Sequence, residues 1–341
     1  MGDPAHVTAA ASAAPAPEPD VAARRGRGSR LRRGVEALVV AAFVGFIGWA
    51  VARQWPRVAE VIGELTPTSV LLSGITAAAG IWFSFLCWRA ILADLGSRVP
   101  TTAGMRIFFV GQVGKYVPGK VWPILTQVRL GRDYQVPGRA SAAAAFIFML
   151  MVLGTGLLVA VCTLPVLGAG AFGRYWWALL ALPLSAVALW PPVLNRGLAL
   201  VMRLTGRDPM PRPLTAAGIG QAVGWAVVMW LLFGVHLYAL LYGLDVDAPH
   251  LLLRSVGAYA GSWAIGFLLL VAPAGVGPRE VALVLLLAGT TEQPVALVAV
   301  VVSRLLMTVG DLLWPVVGVV LERRRRRRAA DGSAGAGRVG D

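Results

Sequence analysis

The chain has 341 residues, 57% of them hydrophobic and only 14% charged, with a mean hydropathy of +0.71. A soluble domain averages about 25% charged residues, so a soluble enzyme or soluble binding module is excluded and a polytopic helical membrane protein is indicated. The net charge of +14 would point to nucleic acid in a soluble protein; here most of it flanks apolar runs, and the retention of Lys and Arg on the cytoplasmic side accounts for it first, with no nucleic-acid role.

Residues 1–33 read as a disordered cytoplasmic tail, rich in Ala and Pro and then in arginine, with six Arg between Arg24 and Arg33. The folded part is expected over residues 34–321 and a second basic, disordered cytoplasmic tail over 322–341. Span 1 covers 34–52, and residues 53–68 suit an external interfacial helix, because Arg53 and Arg57 balance Glu60 and Glu64. Span 2 covers 69–93 and ends on Trp88 and Arg89 as interface anchors. Then comes a broken apolar stretch, Arg106–Arg129, followed by the basic turn 132–139. Span 3 is 140–165, and span 4 opens at Gly173–Trp177 and ends near Pro191-Pro192. Residues 195–213 carry four Arg and one Asp and read as cytoplasmic. Span 5 is 214–243, the acidic link LDVDAPH reads as external, and span 6 is 250–272. A second broken stretch and the turn TTEQP precede the last span, 294–321, which ends on six arginines, Arg323–Arg328.

Parity fixes the roles of the two breaks. Both arginine-rich ends belong in the cytoplasm, so the number of crossings is even. With seven plain spans, one broken segment returns to its own side and one crosses. The basic link 132–139 makes the first a re-entrant hairpin, and the acidic TTEQP link makes the second a crossing. The expected fold is an all-α polytopic integral membrane protein of about eight transmembrane helices plus a re-entrant broken helix, and the paired breaks suggest two related halves. Two half-membrane hairpins with a differently counted span are the alternative.

The first break is the chemical centre of the sequence. Lys115 and Lys120 are the only two lysines, against 29 arginines, and they bracket Tyr116-Val117-Pro118-Gly119. From Leu95 to Arg132 there are six basic residues and no Asp or Glu. Irregular backbone is not tolerated against lipid, so such a break lines a protein-walled cavity, and cations there suit an anion. The bland alternative is a cytoplasmic loop with snorkelling cations. The candidate residues for an anionic headgroup are Lys115, Tyr116, Pro118, Gly119, Lys120, Trp122 and Arg129. The second break reads Pro273-Ala274-Gly275-Val276-Gly277-Pro278-Arg279-Glu280. Pro278 fits the first turn of a new helix and Glu280 its positive end; the alternative to a helix-start acid is a membrane-embedded ion pair. Arg304, near the middle of the last span, needs a partner, and Glu280 is the candidate. Arg304 and Asp311 are seven apart on one helix face, two turns apart in height, and are not expected to pair. Gly275, Gly277, Arg279, Glu280, Arg304 and Asp311 therefore form the embedded-charge candidates.

A Pro-Gly break followed later by a proline-and-glycine turn into Arg279-Glu280, together with Ser303-Arg304-Leu305-Leu306-Met307-Thr308, resembles the flippase-like membrane domain of lysylphosphatidylglycerol synthases over roughly residues 34–321. Where that family commonly has Gly-Glu, this chain has Trp122-Pro123, similar to a branch with a Tyr-x-Pro-Gly-Lys-x-Trp signature. The resemblance implies lipid handling in the plasma membrane. It does not imply lysyl transfer, because the soluble synthase domain that does that chemistry is not expected in this chain.

Function is thus expected to be the binding or movement of an anionic phospholipid or a polyprenyl-phosphate-linked precursor, without enzymatic chemistry. The alternatives are a membrane glycosyl or lipid transferase and a non-transporting subunit of a cell-envelope enzyme. A transferase would need external carboxylates, and the first external link offers only Glu60 and Glu64, with no Asp-x-Asp pattern. The partners are membrane lipids, with a cell-envelope biosynthesis enzyme or a second copy of the chain left open. No cofactor is expected, and no G-x-x-x-x-G-K-[ST] motif is present for nucleotide. Cys87 and Cys162 read as small core residues, and His6, His236 and His250 are scattered without ligand spacing, so no metal site is expected.

Overall fold

The computed structural model describes residues 63–116, 121–167, 179–206, 208–210, 212–268 and 277–336, with side chains to residue 329. Span 1 and both ends of the chain lie outside the described residues. Five described helices are long and apolar enough to cross a membrane: α1 (Pro67–Asp94), α4 (Gly138–Cys162), α7 (Ala216–Tyr242), α8 (Leu251–Leu268) and α10 (Gln293–Ala336, apolar in its first part). Two short helices, α2 (Thr101–Val113) and α3 (Trp122–Arg132), lie between α1 and α4. Helices α5 (Ala181–Ala188) and α6 (Pro191–Leu204) meet at a bend of 61° and count as a sixth span only if taken together. A ten-residue helix, α9 (Pro278–Leu287), precedes α10. Among the described residues no strand is formed, and the all-α polytopic architecture follows.

Helix starts are written in the sequence. Thr66 caps α1, its hydroxyl accepting from the Ser69 N–H at 3.3 Å, with Pro67 in the first turn. Thr215 caps α7 in the same way through Gly218 N–H at 3.0 Å. The spans are apolar over most of their surface, as membrane helices are, and small residues decide which sides meet. The Phe233 ring of α7 occupies the space a Cβ at Gly80 of α1 would need, and Val256 of α8 does the same at Gly234. A band of exposed Leu and Val on α10, including Leu305, Val309, Leu312 and Val316, gives the bundle a lipid-facing surface.

Polar contacts gather the links at two ends. At one end the Asp94 carboxylate accepts from the Thr215 N–H (2.7 Å) and hydroxyl (2.8 Å), and Arg106 pairs with Asp133 at 3.1 Å. At that same end buried Glu322 accepts from Thr102 (2.7 Å), Tyr134 (3.0 Å), Arg325 (2.8 Å) and Arg326 (3.0 Å). At the other end Ser69 packs on Gly243, and Arg254 donates to the Pro249 carbonyl (2.9 Å) and the Thr290 hydroxyl (3.3 Å). The first set contains the basic links of the sequence and the second set the acidic ones.

Three local expectations differ from what is observed. The tail expected to be disordered from residue 322 continues α10 as helix to Ala336, because Glu322 takes Arg325 and Arg326 at i+3 and i+4 and the arginines are themselves good helix formers. Trp88, expected as an interface anchor, is instead fully buried. Cys162, expected in the core, is exposed at the last turn of α4, whereas Cys87 is buried.

Candidate functional site

The first break closes as an antiparallel hairpin. Gly111 of α2 faces Gln127 of α3, and Gly114 faces Pro123, so residues pair in opposite directions along the two helices. A Cβ at Gly114 would lie 2.9 Å from the Pro123 backbone nitrogen, which is why the chain can turn there only with glycine. With 13 and 11 residues, the two helices are about 20 and 16 Å long. Neither crosses a hydrocarbon core of about 30 Å. Pro118, Gly119 and Lys120 lie outside the described residues. The short 3-10 turn Gly114–Tyr116 places Lys115 Nζ 2.6 Å from Asp311 Oδ2 of α10. The Tyr116 hydroxyl donates to the same oxygen at 2.7 Å. The lysine expected to meet an anion is therefore held by a carboxylate of the chain itself.

The second break also ends in an antiparallel pair, since Gly266 of α8 faces Arg279 of α9 and Gly261 faces Leu286. Gly275 lies outside the described residues. Gly277 is the residue before α9 and has φ +117° and ψ −83°, a conformation that only glycine adopts readily. Its N–H donates to Glu280 Oε2 at 2.7 Å, so the acid does serve the helix start. It does a second thing as well: Oε1 lies 3.5 Å from Arg304 Nε, forming the ion pair sought for Arg304. Glu280 is 8% and Arg304 24% exposed. Arg279 does not join Glu280; its guanidinium stacks 4.8 Å above the centre of the Tyr259 ring.

Both breaks thus reach one stripe of α10. Arg304, Thr308 and Asp311 recur at i, i+4 and i+7 and share a face. Arg304 meets the second break and Asp311 the first, about 10 Å apart along the helix. Between them the Thr308 hydroxyl donates to the Arg304 carbonyl at 2.8 Å. At the stripe Lys115 and Arg304 are balanced by Asp311 and Glu280, and Arg279 of α9 adds one positive charge beside it. A cleft with room for about one water opens among Arg279, Glu280, Ser303 and Arg304, walled by Leu283 and Met307.

Two expected residues lie on α3. Trp122 is 45% exposed at the start of α3, and Arg129 is exposed near its far end. Conversely, Thr308 and a buried trio, Ser73, His236 and Ser303, belong to the polar interior and were not legible as such. Thr308 is readable in hindsight as the i+4 residue between Arg304 and Asp311.

These features define a class: an all-helical multi-pass membrane protein with two interrupted segments meeting a charged stripe on one long helix. A family model described as the lysylphosphatidylglycerol synthase TM region matches residues 35–314, which takes in both breaks and the whole stripe. The chain belongs to that family. No curated protein is similar enough to count as a relative.

Proposed function

We propose that the protein is a lipid translocase that carries a phosphate-bearing headgroup along the α10 stripe. The observation that carries this reading is the meeting of both interrupted segments on one helix face, where Lys115 and Arg304 are each held by a carboxylate, Asp311 and Glu280. Paired interrupted segments are the sequence mark of a transporter site, and charge at depth is functional by default. The pairing explains how cations persist there with no lipid bound: each is neutralised by its own acid. An entering phosphate competes with Asp311 for the Lys115 ammonium, and Asp311 keeps the Tyr116 hydroxyl when it loses the lysine. A compact ammonium on a flexible stem follows a moving phosphate more readily than a bidentate guanidinium does. On this reading the protein sits in the plasma membrane with both termini cytoplasmic, as its arginine clusters favour. It acts on membrane lipids, alone or beside a cell-envelope enzyme.

The test is reconstitution into vesicles holding a labelled anionic phospholipid, with a quencher outside and product analysis at the end. Movement of unaltered lipid is the expected result. Chemical conversion of the lipid would instead favour a transferase, and neither movement nor conversion would favour a positioning subunit.

A further inference from the structure

His236 of α7 is fully buried in the bundle, and both of its ring nitrogens are occupied. Nδ1 lies 2.7 Å from the Ser73 hydroxyl and 3.0 Å from the Ser73 carbonyl of α1. Nε2 lies 2.8 Å from the Ser303 hydroxyl of α10. Both serines are buried too. A neutral ring fits this cage with Nδ1–H donating to the Ser73 carbonyl and the Ser303 O–H donating to Nε2. The same heavy-atom positions also accommodate a charged ring, with Nε2–H donating to Ser303 Oγ once that hydroxyl has turned. The heavy atoms need not move between the two states.

Ser303 also lines the cleft that holds Arg279, Glu280 and Arg304. We propose that His236 is a proton-binding site coupled through Ser303 to that cleft, so that a proton and an anionic headgroup docking at the cleft's mouth, the cleft itself admitting only about one water, bind together. In the transfer, Ser303 Oγ gives its proton to Nε2 and takes the incoming proton from the cleft, leaving the serine unchanged and the imidazole cationic. The groups around the ring set the coupling. α8 presents Tyr259 edge-on, with centroids 5.7 Å apart, and Arg279 of α9 lies over that tyrosine. α10 presents Ser303 with Arg304 next to it, paired to Glu280. α1 presents Ser73, and α4 carries no charged group beyond Arg139. Arg279 and Arg304 against Glu280 leave the empty cleft at one net positive charge, which opposes a further proton on His236. A monoanion at the mouth of the cleft cancels that charge, and by reciprocity the proton favours the anion equally.

The inference takes only its anion from the translocase reading. The experiment labels the histidines with nitrogen-15 and follows the imidazole signals by NMR between pH 5 and 8. The full chain is held in nanodiscs of phosphatidylcholine alone or mixed with phosphatidylglycerol. Variants His6→Gln and His250→Gln, which leave the His236 cage untouched, assign its signal. His250 lies in the link after α7 and reports the surface charge of the membrane. The expected result is a His236 ratio of charged to neutral ring that rises about fivefold or more in phosphatidylglycerol, beyond the change at His250. Ser303→Ala should abolish that difference. A His236 ring in one state throughout, or one that follows His250, overturns the proposal. A coupled His236 in a protein that moves no lipid in vesicles would leave this inference standing and overturn the translocase reading alone.

Discussion

Replacing Glu280 by glutamine separates its two roles. A glutamine oxygen can still accept from the Gly277 N–H, so the helix start is kept, while the charge facing Arg304 is lost. Breaking a fully buried pair costs about 3–5 kcal/mol, and an exposed pair is worth about 0.2–1 kcal/mol. With Glu280 8% and Arg304 24% exposed at a separation of 3.5 Å, the pair falls between these limits. We therefore expect Glu280→Gln to destabilise by about 2 kcal/mol, roughly a thirtyfold change in the folding equilibrium. Arg304→Met should cost a similar amount, because it strands Glu280. The double variant should recover about 1–2 kcal/mol relative to the sum of the singles. Equilibrium unfolding in bicelles measures all four corners of the cycle, and protein abundance in the membrane should rank in the same order. Effects that add within about 0.5 kcal/mol would show that the two charges do not compensate each other.

Other expectations follow from single contacts. Asp311→Asn should free Lys115 while an amide oxygen still accepts from Tyr116. Because Lys115 is a third exposed, the released competition is worth about 1 kcal/mol, or about fivefold tighter binding of anionic lipid; unchanged binding in nanodiscs would show that Asp311 does not compete with the headgroup. Gly277→Ala forces a side chain into φ +117° and should lower stability by about 1–3 kcal/mol; an unchanged melting temperature would contradict the strained helix start. With Cys162→Ser as background, cysteines placed at Gln135 and Glu292 should be labelled from opposite faces of the membrane, and labelling from one face would break the eight-crossing scheme.

Much of this was legible in the sequence because hydrocarbon imposes simple rules. Hydropathy marks the spans, and Pro118-Gly119 and Gly277-Pro278 mark places where a helix cannot continue unaided. The Glu280–Arg304 pair was legible because a mid-span arginine has few acids to choose from. The Lys115–Asp311 contact was not, because the partners lie nearly two hundred residues apart and nothing in their spacing links them. The His236 cage was hidden for another reason: a lone histidine in an apolar run has no periodic signature, and its serines resemble ordinary small packing residues. The helical continuation to Ala336 was hidden because a run of arginines looks like a solvated tail, and only the fold supplies Thr102 and Tyr134 to anchor Glu322 at its root.

The central claim is that the two breaks move a phosphate-bearing lipid, and the most direct measurement is the rate at which labelled phosphatidylglycerol and phosphatidylcholine cross vesicles containing the protein. The account predicts faster movement of the anionic lipid by wild type, and loss of that preference in the Lys115→Ala, Lys120→Ala double variant at unchanged abundance. Full, charge-selective transport by the double variant would contradict it.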